Sequence, residues 1–429
     1  MEGISLISTL AIGFGVALVL GFLAEKLKVP ALVGYLLAGI LVSPSVFGFD
    51  VDLNLANQLA EIGIMLLMFG VGLHFSLTDL LKVKGLVVPG AICQMLLSAL
   101  IGFGLSWLWG WDVGHSVLLG CCLSCASTVV VLKALEARGM LEGFGNVAVG
   151  WLIVQDMVTV LLLVLLPPMA SVFTGQAQTS SQPLWQLLLI TLAQVVVFIV
   201  LMLVIGRRLL PYLLWQVAKT GSRELFTLCV LAVAIGIAFG AAEVFHVSFA
   251  LGAFFAGMVM RESKYAHRAA VESLPLRDAF SVIFFVGVGM MFNPMVIVEH
   301  PWHLLCVLLL ILFINPIIAA LLVMLFRYPL HTALTLGACL GQIGEFSFIL
   351  ASLGKSMGIV SDEGMNLVLA TAILTIALNP IAFATLPKVA EFLKKRSKLA
   401  RISAARPDPQ SLMPDEVEKK KITGHIVIV

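Results

Sequence analysis

NVAVGWLIVQDMVTVLLLVLLP, Asn146–Pro167, decides what kind of molecule this is. The stretch is apolar apart from Asn146, Gln155, Asp156 and Thr159. About 20 such residues suffice to cross a bilayer as a helix. Asp156 falls near the middle, where an ionisable side chain costs about 2.5–3.5 kcal/mol or more to insert. That cost is borne mainly where a proton or cation is meant to sit; a carboxylate tying helices together is the plainer alternative.

Composition agrees. The 429 residues are 60% hydrophobic and 12% charged, with a mean hydropathy of +1.08. Soluble domains carry about 25% charged residues. The expected fold class is therefore an all-α polytopic membrane protein, and the reading is a transporter, not an enzyme. A net charge of +2 offers nothing to a nucleic acid. The cysteines (Cys93, Cys121, Cys122, Cys125, Cys229, Cys306 and Cys339) all lie in apolar runs without zinc-ligand spacing, so they read as small packing residues. The first apolar run, Ile4–Ala24, lacks a basic leading segment and reads as a span, not a cleaved signal peptide.

Thirteen spans are expected, near 4–24, 30–43, 55–76, 86–108, 114–134, 146–167, 185–206, 223–242, 246–260, 278–293, 302–326, 331–353 and 364–386. With the C-terminus cytoplasmic, this count puts the N-terminus outside. Every Lys and Arg ahead of the C-terminal tail then falls on the inner side, except Lys355. Such an imbalance is what the positive-inside rule demands. Trp107, Trp109, Trp111, Trp185 and Trp302 fall near outer span ends, as an aromatic belt does. Residues 388–424 read as a polar cytoplasmic linker, with Lys394-Lys395-Arg396 and Lys419-Lys420-Lys421. His425–Val429 (HIVIV) reads as one β-strand, which cannot fold alone. The expectation is a further domain of which only the first strand is present.

Two of the spans are interrupted. The fifth contains Ser124-Cys125-Ala126-Ser127-Thr128, and the twelfth contains Gly337, Gly341-Gln342-Ile343-Gly344-Glu345 and Ser347. They are seven spans apart, an odd offset, so they run in opposite directions. Paired broken helices in inverted repeats place half-helix ends and freed carbonyls at the midplane of secondary transporters. Small residues that merely allow tight helix packing are the competing explanation for either span alone. Ser124, Ala126, Gly341 and Gly344 are the expected break positions. Asp156, Gln155, Ser127, Thr128, Gln342 and Glu345 are the expected ion and proton site.

Desolvation disfavours an ionised carboxylate, whereas a cation beside it favours one. Asp156 can therefore hold a proton or a monovalent cation, but not both, and this competition gives coupled exchange. The Gln155 amide oxygen is a candidate ligand for the cation. One carboxylate exchanging one cation for one proton moves no net charge. No Lys or Arg lies between Arg277 and Arg327, so span ten brings no deep counter-charge. Glu345 sits in the second break as site residue or helix tie, and Glu61 is favoured as a packing or dimer residue. Glu243 and Asp278 fall at span ends and read as interfacial. His74 reads as structural.

From GWLIVQDM outward the sequence resembles the bacterial cation:proton antiporter-2 family, in its Kef/YbaL-type potassium:proton branch. The resemblance rests on VPALVGYLLAGILVSP (29–44), LLMFGVGLHFSL (66–77), SCASTVVVLKALE (124–136), TGSRELFTL (220–228), FALGAFFAGMV (249–259), FFVGVGM (284–290) and GQIGEFSFILA (341–351). It implies two inverted repeats, a core transport domain working against a dimerisation domain, and homodimers in the bacterial inner membrane. It also implies that Asp156 carries the ion and the proton, paired with Gln155. In that branch a nucleotide-binding regulatory domain of the RCK type follows. His425–Val429 matches its opening without the glycine fingerprint, so no nucleotide is expected to bind this chain through it.

The function these readings favour is electroneutral potassium:proton antiport, with potassium as substrate and no cofactor. A sodium:proton antiporter is the near alternative. A ligand-gated potassium efflux channel is the distant one, for which no TVGYG-type filter is present. An organic-anion symporter would want a cation beside the breaks, and none is visible.

Overall fold

A computed structural model describes residues 2–27, 29–43, 53–74, 77–136, 138, 140, 145–173, 184–245, 249–396 and 398–404. Among these residues all regular structure is helical. In the first half the helices are α1 (Glu2–Lys26), α2 (Ala31–Val42), α3 (Leu53–His74), α4 (Leu77–Leu108), α5 (Val113–Leu123), α6 (Thr128–Glu136), α7 (Gly145–Phe173), α8 (Leu184–Leu201) and α9 (Arg207–Ala218). In the second half they are α10 (Arg223–Phe245), α11 (Phe249–Arg261), α12 (Ala266–Met290), α13 (Val296–Glu299), α14 (Pro301–Leu309), α15 (Asn315–Leu325), α16 (Leu330–Leu340), α17 (Glu345–Ser356), α18 (Asp362–Arg396) and α19 (Lys398–Ala404).

By length and apolar composition, 7 helical stretches among the described residues can cross a membrane, or 8 if the bent pair 266–273 and 275–290 is one span. Shorter apolar helices at Ala31–Val42, Glu61–Gly70, Val113–Leu123 and Leu251–Arg261 occupy other expected spans. Helix ends depart from the sequence reading in two places. Span seven, expected to stop at 206, continues as helix through α9 to Ala218 by way of a π-helical turn at Met202–Gly206. Pro211 lies further on, inside α9, where it leaves the Arg207 carbonyl without its usual helical donor. The last span runs past residue 386 to Arg396, and α19 follows it, with Ala400 buried and the Ser403 hydroxyl donating to the Tyr328 carbonyl at 2.8 Å. The remainder of the expected linker and the expected strand lie outside the described residues, as does the His74 side chain.

The helices pack as two groups. α1, α2, α3, α10, α11 and α12 pack mainly on one another, and so do α4, α5, α7, α15, α16, α17 and α18. Contacts between the groups are sparse, made where α2 meets α18 and where α7 meets α11, while α8 touches α7 of one group and α10 of the other. Backbone touches backbone within the first group. A Cβ added at Gly39 of α2 would come within 2.7 Å of the Gly289 Cα of α12, so neither position tolerates a side chain.

Candidate functional site

Both interrupted spans are broken helices, and the breaks meet. α5 ends where the Ser124 N–H and hydroxyl both turn back to the Cys121 carbonyl, at 3.2 and 2.7 Å. Residues 124–127 are non-helical, and Ser127 then caps α6, its hydroxyl oxygen accepting the Val130 N–H at 3.2 Å. This is the ordinary N-cap use of serine. In the second broken span, α16 ends at Gly341 and α17 starts at Glu345 after the extended Gly344.

Three hydrogen bonds join the breaks directly. The Gly344 N–H donates to the Cys125 carbonyl at 3.0 Å, Gln342 Nε2 to the Ser127 carbonyl at 3.1 Å, and the Ser347 hydroxyl to the Cys122 carbonyl at 2.6 Å. A Cβ at Gly344 would lie 2.7 Å from the Ala126 carbonyl, so glycine alone permits this approach. Part of the backbone freed by each interruption is thus satisfied by the other broken helix, as a low-dielectric interior requires.

Helix α7 lies across this junction. The Thr128 hydroxyl donates to Asp156 Oδ2 at 2.8 Å, with Asp156 only 5% exposed. Gln155 is fully buried and holds the first break instead of facing open space. Its Oε1 accepts the Ala126 N–H at 3.2 Å, and its Nε2 donates to Gln94 Oε1 at 2.5 Å. Ala126 is the one donor described at Oε1, so its second lone pair has no hydrogen bond among the described contacts. Glu345 is 2% exposed at the first turn of α17, where the helix dipole favours an anion. Neither of its oxygens has a hydrogen-bond partner of normal geometry, although the Ser127 side chain lies beside it. Gln342 Oε1 is likewise buried and unpartnered. Two carboxylates and an amide oxygen are therefore gathered without any fixed positive side chain among their hydrogen-bond partners.

Sequence reasoning missed three buried amides that build this junction. Gln94 on α4 links Gln155 to Ser98 and also accepts from Trp151 Nε1 at 3.4 Å. Asn315 Nδ2 donates to the Leu123 carbonyl, the last of α5, and Asn379 Nδ2 donates to the Ala338 carbonyl near the end of α16, both at 2.9 Å. The two broken helices thus receive the same cap from the same residue type. Each asparagine precedes a proline, Asn315-Pro316 and Asn379-Pro380, and lies within an apolar span. That repeated pair was the available signal. Glu61 is exposed on α3, apart from the junction.

Two discontinuous helices crossing beside a buried carboxylate, in a chain of apolar helices, define a secondary transporter. The chain belongs to the sodium/hydrogen exchanger family: residues 14–388 match its transmembrane exchanger domain. It is similar to an Escherichia coli K12 protein named as a cation/proton antiporter, YbaL, with 53% identity over 384 residues, 89% of this chain and 69% of that one. It is also similar to the K(+) efflux antiporter 4 of Arabidopsis thaliana, with 29% identity over 84% of this chain and 60% of that one. The chain therefore spans about two thirds of the length of these relatives. Among solved structures, the sodium proton antiporter MjNhaP1 of Methanocaldococcus jannaschii superposes with a TM-score of 0.62 over 95% of this chain and all of that one. At 16% identity that likeness concerns the fold alone.

Proposed function

We propose that this chain is an electroneutral potassium:proton antiporter in which potassium and the proton compete for Asp156. The observation that carries the reading is a buried carboxylate held by Thr128 at the meeting point of two broken helices. Deprotonated Asp156, the second lone pair of Gln155 Oε1 and the unpartnered oxygens of Gln342 and Glu345 offer hard oxygen ligands to an alkali cation. Protonation removes the charge that holds the cation. Alternating exposure of one such site to the two faces couples the fluxes without a further device. The names of the relatives, a cation/proton antiporter and a potassium efflux antiporter, support this choice of ions. Sodium is the second reading, favoured by the sodium proton antiporter with the same fold.

The proposal includes a homodimer in a bacterial inner membrane, with the N-terminus outside and the C-terminus cytoplasmic. The assignment of span ends to two common sides is supported by which ends pair in space. Arg207 pairs with Glu262, Arg223 with Glu272, and Arg138 lies over the Phe383 ring, all at ends expected to be cytoplasmic. At the opposite ends Trp109 stacks on His303. It further includes a cytoplasmic linker after the last span, and no nucleotide cofactor for the transport unit, any nucleotide belonging to a regulatory domain beyond it.

The test is a proteoliposome assay of the purified chain with an internal pH-sensitive dye, adding potassium and then sodium with the membrane voltage clamped. Potassium-driven proton movement, indifferent to the clamp and lost in Asp156→Asn, is expected. Potassium movement without proton movement would overturn antiport.

A further inference from the structure

Away from Asp156, at the end of the bundle marked by Trp109 and Trp111, three metal-ligating side chains converge. His300 precedes Pro301 at the start of α14, and His303 follows one turn on, so both rings fall on one helix face. Glu363 stands in the first turn of α18. His303 Nδ1 lies 2.7 Å from Glu363 Oε1, and His300 Nδ1 lies 3.2 Å from the same oxygen. One ligand atom from each residue falls within 4.8 Å of the others. The imidazoles are parallel to within 8°, and His303 is held from behind by Trp109, stacked at a centroid distance of 4.0 Å. Side-chain exposures of 24–37% leave the cluster reachable from water but not free to wander.

Two histidine nitrogens aim at one carboxylate oxygen. Neutral imidazole nitrogens and a carboxylate oxygen all present lone pairs to a metal ion, so the three side chains form a ligand set. Two histidines and an acid are a set that zinc and its first-row neighbours favour. Bonds of about 2.0–2.2 Å in a tetrahedron place ligand atoms about 3.3 Å apart. The His300 separation already meets that, and the His303 contact needs to open by about half an ångström. Beside the cluster, His115 stacks on Trp111 and keeps a buried, unpartnered Nε2. Alkali cations do not select imidazole, so this site is chemically separate from the one at Asp156.

We propose that His300, His303 and Glu363 bind a divalent transition-metal ion of the zinc class, with water completing the coordination. The ion clamps α14 to α18, and α18 in turn packs on both halves of the second broken helix. Binding releases to solvent whatever proton the two Nδ1 atoms carry. The inference stands independently of which ions the protein transports.

Full-length protein in detergent, stripped with a chelator, is titrated with Zn2+ while its thermal midpoint is followed, and with Co2+ while its visible absorption is followed. Micromolar Zn2+ should raise the midpoint, and Co2+ should give the intense ligand-field bands of a low-coordinate site. Glu363→Gln should weaken both effects at least tenfold. Because Glu363 also begins α18, His300→Ala on the more exposed ring serves as a second variant and should do the same. His267→Ala, at an exposed histidine elsewhere, should change nothing. Equal Zn2+ affinity in His300→Ala and the parent, or a parent giving no Co2+ bands, would overturn the site.

Discussion

Thr128 donates its hydroxyl to Asp156 Oδ2 at 2.8 Å, so the first residue after one helix break is fixed to the charge-bearing residue of the next span. A hydrogen bond to an ionised partner contributes about 1.5–3 kcal/mol. Asp156→Asn should abolish coupled exchange, because an amide neither releases the proton nor balances the cation. The variant should still fold, and size-exclusion chromatography together with the flux assay checks both halves. Coupled flux with a normal pH dependence in that variant would sink the mechanism. Thr128→Val should retain exchange with the apparent cation KM raised about tenfold.

Competition at one carboxylate fixes the sign of the pH dependence. In the range where the proton occupies Asp156, each tenfold rise in proton concentration should raise the apparent KM for the cation about tenfold. The maximal rate at saturating cation should change far less. Initial rates at several pH values separate these cases, and a KM independent of pH would place proton and cation at different groups.

Gln155 is expected to matter for architecture as much as for the ion. Gln155→Ala strands the buried Ala126 N–H and removes the partner of Gln94. Leaving a buried donor unmade costs about 1–3 kcal/mol. A thermal midpoint several degrees below the parent is expected, alongside weakened cation affinity. Unchanged values of both would remove Gln155 from the junction and from the site.

Glu345 behaves differently, its buried oxygens having no hydrogen-bond partner of normal geometry. Glu345→Gln should leave the thermal midpoint close to that of the parent and alter the apparent cation affinity by replacing one carboxylate oxygen of the site with an amide nitrogen. A large drop in stability with unchanged affinity would return Glu345 to the role of a helix tie.

Close approach makes Gly344 intolerant. A methyl there meets the Ala126 carbonyl, and overpacking of this kind costs about 1–3 kcal/mol. Gly344→Ala should lower both the thermal midpoint and the transport rate, whereas Gly236→Ala, at an α10 glycine with open space around it, should change neither.

Much of this was legible in the chain itself. Apolar runs that break only at Ser124–Thr128 and Gly341–Glu345 announce two discontinuous helices, because serine and glycine weaken a helix and satisfy freed backbone locally. Asp156 announces a site because an acid inside an apolar span has few other uses. The continuation of span seven through Arg207 to Ala218 was hidden, since a pair of arginines reads as a span end when it lies in a helix leaving the bilayer. Gln94, Asn315 and Asn379 were hidden for another reason: a lone amide in an apolar span reads the same whether or not a broken helix end lies across from it.

By itself the sequence determined the helical membrane fold, the two breaks and the acid beside the first. Hydropathy, charge and propensity act along the chain and are written into it locally. Only the tertiary structure decided that Gln342 reaches the Ser127 carbonyl, that Gln155 is tied to Ala126 and Gln94, and that Glu345 is buried at the second break with no hydrogen-bond partner of normal geometry. It alone brought His300 and His303 to Glu363. These pairings depend on which helix ends meet across the bundle, and that is set by packing between segments hundreds of residues apart, where no local pattern reports the neighbour.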